Sequence, residues 1–232
     1  MIKYTTLLAG TAACVAALAA VPAAAQVNGM ATSSPEAVIV RSAARAAAYQ
    51  QIDQTFATQI QQIRTLRQEI NTGQQALDTN RDGQLSDQEL QAGQASVAQL
   101  QQKDEQAAQL TAPIALAQYY AIEQIINDYT NAQNQVLQQK KVQVLIAPDA
   151  IQYAPEGFNL TNDILKVLDS RLPTVSTTPP AGWQPRRATV ETHQTVQQVL
   201  MAAAQQQAAA AAAQQQGQQQ GQQPAQPAPT GR

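Results

Sequence analysis

YQQIDQTFATQIQQIRTLRQEINTGQQAL, residues 49–77, carries an apolar side chain at every seventh position: Tyr49, Phe56, Ile63, Ile70 and Leu77. Ile52 and Leu66 fall at the matching second position of the heptad, while Gln59 and Gly73 weaken that second row. The intervening residues are mostly Gln, Thr, Arg and Glu. A seven-residue period with polar flanks marks a helix that packs along one narrow seam. Just upstream, Ser34-Pro35-Glu36 has the form of a helix start: an N-capping hydroxyl, proline in the first turn, and an acid at the positive end of the helix dipole. The spacing therefore predicts a helix over 36–77, roughly 60 Å long at about 1.5 Å per residue.

The same pattern returns further on. Leu90, Val97, Leu100, Ala107 and Leu110 share one broad face, and Ile122, Tyr129 and Val136 again step by seven, with Ile125 and Ala132 on the second row. Pro113 removes a helical hydrogen bond, so a bend is expected near Thr111. Two seamed arms joined by a short connection make a helical hairpin with little to bury against except itself. Short strands are expected at Val27–Thr32, at Val142–Ile146 and at Ala150–Tyr153, and a helix capped by Thr161 with Ile164, Leu165, Val167, Leu168 and Leu172 on its apolar face.

The connection between the arms, Asp78 to Glu89, reads DTNRDGQLSDQE. It fits the calcium-loop pattern D-x-[DN]-x-[DN]-G-x5-E. Asp78, Asn80 and Asp82 stand at positions one, three and five, Gly83 at the sharp turn, Gln84 at the backbone-carbonyl position, Ser86 at nine and Glu89 at twelve. Those oxygens suit a hard divalent cation, so the six residues Asp78, Asn80, Asp82, Gln84, Ser86 and Glu89 form a candidate site for weakly bound calcium. The same letters have a plainer reading: Ser86-Asp87-Gln88-Glu89 is a capping box, which starts a helix with or without metal.

Composition narrows the function classes. Of 232 residues only 4% are aromatic and 13% charged, and the formal net charge is −2. This suits long helices and low-complexity sequence better than a compact enzyme, and it offers no basic footprint for nucleic acid. His193 is the only histidine, so a histidine-based triad or zinc site is not expected. Residues 1–25 read as a cleavable secretory signal, with Lys3, an apolar stretch Leu7–Val21 and Ala23-Ala24-Ala25 as the cleavage site. Cys14 lies in a poor lipidation context, and cleavage after Ala25 leaves a mature chain without cysteine. After Pro173, residues 174–232 read as a Pro-containing stretch followed by an Ala/Gln-rich disordered tail, with Val196, Val199 and Leu200 able to form one packing turn.

The order of signal, short strand, helical hairpin, strands and capped helix resembles the Skp/OmpH family of periplasmic chaperones. The closest likeness is KKVQVLIAPDAIQYAPEGFNLTNDILKVLDSRLP, residues 140–173, which is similar to the family's closing segment. The resemblance implies a mainly α fold: a long coiled-coil hairpin (36–141) on a small β-body (27–35 and 142–173), three copies forming a jellyfish-like homotrimer whose cavity holds unfolded outer-membrane proteins. It implies periplasmic localisation, no enzymatic reaction, and at most transient contact with a membrane surface. The loop 78–89 and the tail are additions to that pattern. An alternative function, from a different class, is a calcium-binding coiled-coil envelope protein in which the loop is the main site.

Overall fold

The structure is a computed structural model that describes residues 29–155 and 157–220, with residues 214–220 described as backbone only. The signal read over 1–25, with Cys14, lies outside the described residues. Strand β1 (Met30–Thr32) pairs in parallel with β2 (Val144–Ile146), Met30 opposite Val144 and Thr32 opposite Ile146. Parallel strands need a long crossover, and here the whole hairpin is that crossover. The Thr32 hydroxyl donates to the Ile146 carbonyl at 2.7 Å. The expected strand over 150–153 is absent: Pro148–Ala150 forms a 3₁₀ turn, and Asn159 instead makes a single bridge to Thr32.

The expected first helix is split into three. Helix α1 (Pro35–Arg41) begins where Ser34 accepts from the Ala37 N–H. Ser42, with ψ 139°, ends α1 and caps α2 (Ala43–Thr55) by accepting from Arg45 N–H. Asp169 also accepts from the Ala43 N–H at 2.8 Å, so the break at Ser42 is held from both sides. Phe56 then separates α2 from α3 (Ala57–Leu77), with no side chain capping the new start. Helix α4 (Asp87–Ala92) follows the loop, and α5 (Gln94–Gln139) returns to the base with Pro113 inside it. Proline does not end α5, because the heptad faces on both sides of it stay packed across the seam: Leu110 and Ile114 lie against Ile52, Phe56 and Ile63.

Helix α5 ends with two bonds of a Schellman motif: Val142 N–H to the Leu137 carbonyl and Lys141 N–H to the Gln138 carbonyl. Lys141 takes the left-handed position, φ 56°. Helix α6 (Thr161–Arg171) is capped differently from the expectation. Thr161 is its first residue and its N–H is held by Asn159 Oδ1, while the Thr161 hydroxyl accepts from Ser34 N–H at 3.0 Å and so ties α6 to α1.

The core sits at the base. Val38 and Ile39 of α1, Ile122, Ile125, Ala132 and Val136 of α5, and Ile164 and Leu168 of α6 are all fully or nearly fully buried. A second cluster, Ile52, Ile63, Ile114 and Ala117, runs up the hairpin. The sequence reading placed a disordered tail from residue 174, and there the structure differs. Residues 176–200 strap the base, and α7 (Arg187–Gln220) brings Val196 into the main core. From Met201 to Ala213 every α7 side chain is exposed. No described helix is long and apolar enough to cross a membrane.

Candidate functional site

The tip loop is built around Glu89. Its Oε1 accepts from the Thr79 N–H at 2.7 Å, the Thr79 hydroxyl at 2.8 Å and the Asn80 N–H at 3.3 Å. Its Oε2 accepts from the Ser86 N–H at 3.0 Å and the Ser86 hydroxyl at 2.8 Å. Ser86 in turn accepts from the Glu89 N–H, completing the capping box at the start of α4. The carboxyl is held down to about 2, first by the Ser86 backbone N–H, then by the Thr79 and Ser86 hydroxyls. Glu89 is only 8% exposed, yet its cover is its own loop at the end of the hairpin, with no dense core behind it.

The other half of the loop has the shape that its letters suggest. Asp78 accepts from the Asp82 and Gly83 N–H groups. Asn80 Oδ1 accepts from Asp82 N–H, and Asp82 Oδ1 accepts from Gln84 N–H. Gly83 turns at φ 80°, where only glycine fits without strain. The six candidate residues therefore lie together in one loop, where Asp78 Oδ1 and Asn80 Oδ1 both accept from the Asp82 N–H. Glu89 and Ser86 face the backbone and each other, and among the described residues no group of three or more His, Cys, Asp or Glu side chains is disposed to hold a metal ion. A cation would fit this donor set only after Glu89 turns away from the Thr79, Asn80 and Ser86 amides.

Below the tip, α3 packs on α5 and their flanks are lined by Gln and Thr. A groove of about 670 Å³ opens between them, lined by Thr58, Thr65, Leu66, Gln106, Gln109 and Leu110 among others. Two glycines let the arms approach. A Cβ on Gly73 would lie 2.5 Å from Leu100 Cδ2, and one on Gly93 would overlap Leu77. Lys103 and Glu69 bridge the arms at 2.8 Å, both partly exposed.

Of the strap, the sequence reading anticipated only the packing turn, in which Val196 and Leu200 do meet the core while Val199 is 43% exposed. Ser176 exchanges two hydrogen bonds with the Gln124 amide, Trp183 stands edge-on to Tyr120 with centroids 5.1 Å apart, and Arg186 pairs with Glu123 and Asn127. The Thr189 hydroxyl donates to Glu123 at 2.7 Å. Burial alone would raise the Glu123 carboxyl, but Thr189 and Arg186 bring it below its ordinary range. His193 sits one turn further, 3.0 Å from Gln118 and edge-on to Tyr119. A signal was present: Thr189, His193, Val196 and Leu200 repeat at helical spacing, but two of the four are polar and the stripe is hidden from a hydrophobic reading.

A family model described as outer membrane protein (OmpH-like) matches residues 29–168, more than half of the chain. No curated protein matches the chain. Among solved structures it is similar to a crystal structure from Caulobacter crescentus CB15 described as an OmpH-like outer membrane chaperone, at 20% identity, covering 65% of this chain and 89% of that one, with a TM-score of 0.41. The strap and α7 lie beyond the matched residues.

Proposed function

The chain belongs to the OmpH-like outer membrane protein family, and from that premise we propose that it is a periplasmic, non-enzymatic holdase whose homotrimer encloses unfolded outer-membrane proteins between its hairpins. The observation that carries this reading is the distribution of packing. The fully buried large side chains are concentrated at the base, while the arms between Ala57 and Leu110 pack on each other and present Gln and Thr outward. Such a surface offers many weak, non-directional contacts, which suits holding an unfolded chain without fixing it.

The β-body supports assembly. Two three-residue strands are marginal alone, and Met30, Val144 and Leu145 are 41%, 50% and 36% exposed. Further copies would complete the sheet and cover them. Delivery to the periplasm rests on the secretory signal read over residues 1–25. Calcium at Asp78–Glu89 is a separate proposal, and it requires the Glu89 carboxylate to exchange its amide partners for the ion.

The test is sedimentation of the purified chain, followed by light scattering of an unfolded porin-type client with and without it. A trimer that suppresses client aggregation at one trimer per client is expected. A monomer at micromolar concentration, or undiminished aggregation, would overturn the reading.

A further inference from the structure

His193 lies in the interface between the strap and the hairpin base and has no charge partner among the described residues. His193 is 8% exposed, and among the described residues no carboxylate bonds to its ring. Its Nε2 lies 3.0 Å from Gln118 Oε1 on α5 and 3.2 Å from Gln197 Nε2 on α7. The His193 and Tyr119 rings meet nearly at right angles, 76°, with centroids 4.7 Å apart. The 3.0 Å contact with Gln118 Oε1 takes an Nε2–H, which leaves Nε2 no lone pair for the Gln197 amide, so what opposes a charge on this ring is its burial away from any carboxylate.

The surroundings of the ring are unfavourable to a cation. On α5 the facing groups are Gln118 and Tyr119, and the nearest acid along that face, Glu123, is already engaged by Thr189 and Arg186. On α2, Tyr49 stays neutral, its phenol pushed up to about 12 by burial, and beside it stands the Arg45 guanidinium, 5.2 Å over the Tyr49 ring. Helix α1, which also packs on α7, carries Glu36, bonded to Ser34, and Arg41, bonded to Asn162. On α7 itself Glu191 pairs with Arg187 in solvent. A positive charge at His193 would be buried beside the Gln118 and Gln197 amides, with no carboxylate bonded to the ring among the described residues.

We propose that the strap is an acid-released latch, in which protonation of His193 detaches helix α7 from the hairpin base. The sign follows from linkage. Burial lowers the affinity of the docked ring for a proton, so the undocked state binds the proton more tightly. Docking is at full strength above the free imidazole range near pH 6.5 and weakens as pH falls below it. The Glu123–Arg186 pair acts later, because a carboxyl held below its ordinary range is lost only under more acid conditions. Release would bare Tyr119 and the core face of Val196.

The chain reports on itself. His193 is the only histidine and Trp183 the only tryptophan, and Trp183 lies in the strap against Tyr120. In the tag-free full chain, the His193 imidazole should titrate by proton NMR below the free value of about 6.5. Hydrogen exchange over residues 187–200, taken as the ratio of wild type to His193→Gln at the same pH, should be near one at pH 7.5 and rise roughly three- to tenfold by pH 5, with a parallel change in Trp183 emission. A His193 titration at or above the free value overturns the proposal, and so does a ratio that stays flat. If His193→Gln is unprotected even at pH 7.5, the imidazole titration together with the wild-type Trp183 emission decides alone: both must move below pH 6.5, and emission constant to pH 5 overturns the latch.

Discussion

Gly93 meets Leu77 so closely that a methyl group in place of its hydrogen would overlap Leu77 Cδ2. The two residues bracket the tip loop, Leu77 ending α3 and Gly93 opening α5, and their contact sets how near the arms come. Leu77 is one of the few buried side chains at this end of the molecule. Gly93 has an ordinary backbone, φ −102°, so alanine is excluded by space and not by conformation. Gly93 is the cap between α4 and α5 and lies inside neither helix, so Gly93→Ala gains no helix preference and should lose about 1–3 kcal/mol to overpacking. Faster amide exchange confined to residues 77–97 is the expected readout, and unchanged protection there would show that Leu77 simply swings aside.

Lys141 offers the opposite kind of change. It holds the left-handed position of the Schellman motif at the end of α5, φ 56°, which costs a side-chain-bearing residue about 1 kcal/mol or more. Its side chain is exposed and is not paired with Asp163, which bonds Lys140 instead. Lys141→Gly should therefore raise stability by about 1 kcal/mol in urea titration with an unchanged slope. A destabilised variant would mean that the Lys141 side chain carries a contact worth more than the backbone strain.

How much of this was legible beforehand follows from which forces act locally. The hairpin could be read because Tyr49, Ile63 and Leu77 on one arm and Ile122, Tyr129 and Val136 on the other repeat with the seam's own period, and Ser34 caps a helix through a bond three residues away. The break at Phe56 could not be read, since no cap or proline marks it. The closure at Asn159 depends on Thr32, and the docking of Thr189 depends on Glu123, both far apart in sequence. In the loop, the letters of a calcium site and of a capping box coincide at Ser86 and Glu89, so only the direction of the Glu89 carboxylate separates the two.

Pro113 stands inside α5 with its side chain exposed, leaving the Gln109 carbonyl without its i+4 donor. A helix-interior proline costs about 3 kcal/mol, and nothing in the described packing needs its ring. Pro113→Ala should raise the thermal midpoint, with the gain limited to about 3 kcal/mol. Because Phe56 interrupts the opposite arm at the same packed cluster, the gain should come with slower exchange across residues 105–117. An unchanged midpoint would mean that α5 has already relaxed around the missing donor.

Glu89 is the residue on which the tip depends, with or without metal. Its carboxylate accepts from five donors of Thr79, Asn80 and Ser86, and glutamine can supply only one acceptor oxygen while turning an amide against backbone N–H groups. Glu89→Gln should therefore open the loop between residues 78 and 89 and leave the base, far along the chain, folded. Acid should do the same. A carboxyl held down to about 2 gives stability that is complete above its ordinary value of about 4.3 and is lost as pH falls through the lowered one, so loop protection should fade between roughly pH 4 and pH 2. Calcium must compete with the same five donors, so binding should be weak, with a Kd of about 10⁻⁴–10⁻³ M, and should weaken together with the clasp. Calorimetry on the wild type should show one calcium per chain at millimolar concentration and none in Glu89→Gln. No heat in the wild type, with an opened loop in the variant, would leave Glu89 as a capping-box clasp and nothing more. Calcium heat retained in Glu89→Gln would instead place the ion on Asp78, Asn80 and Asp82 alone, with Glu89 facing the backbone as it does here.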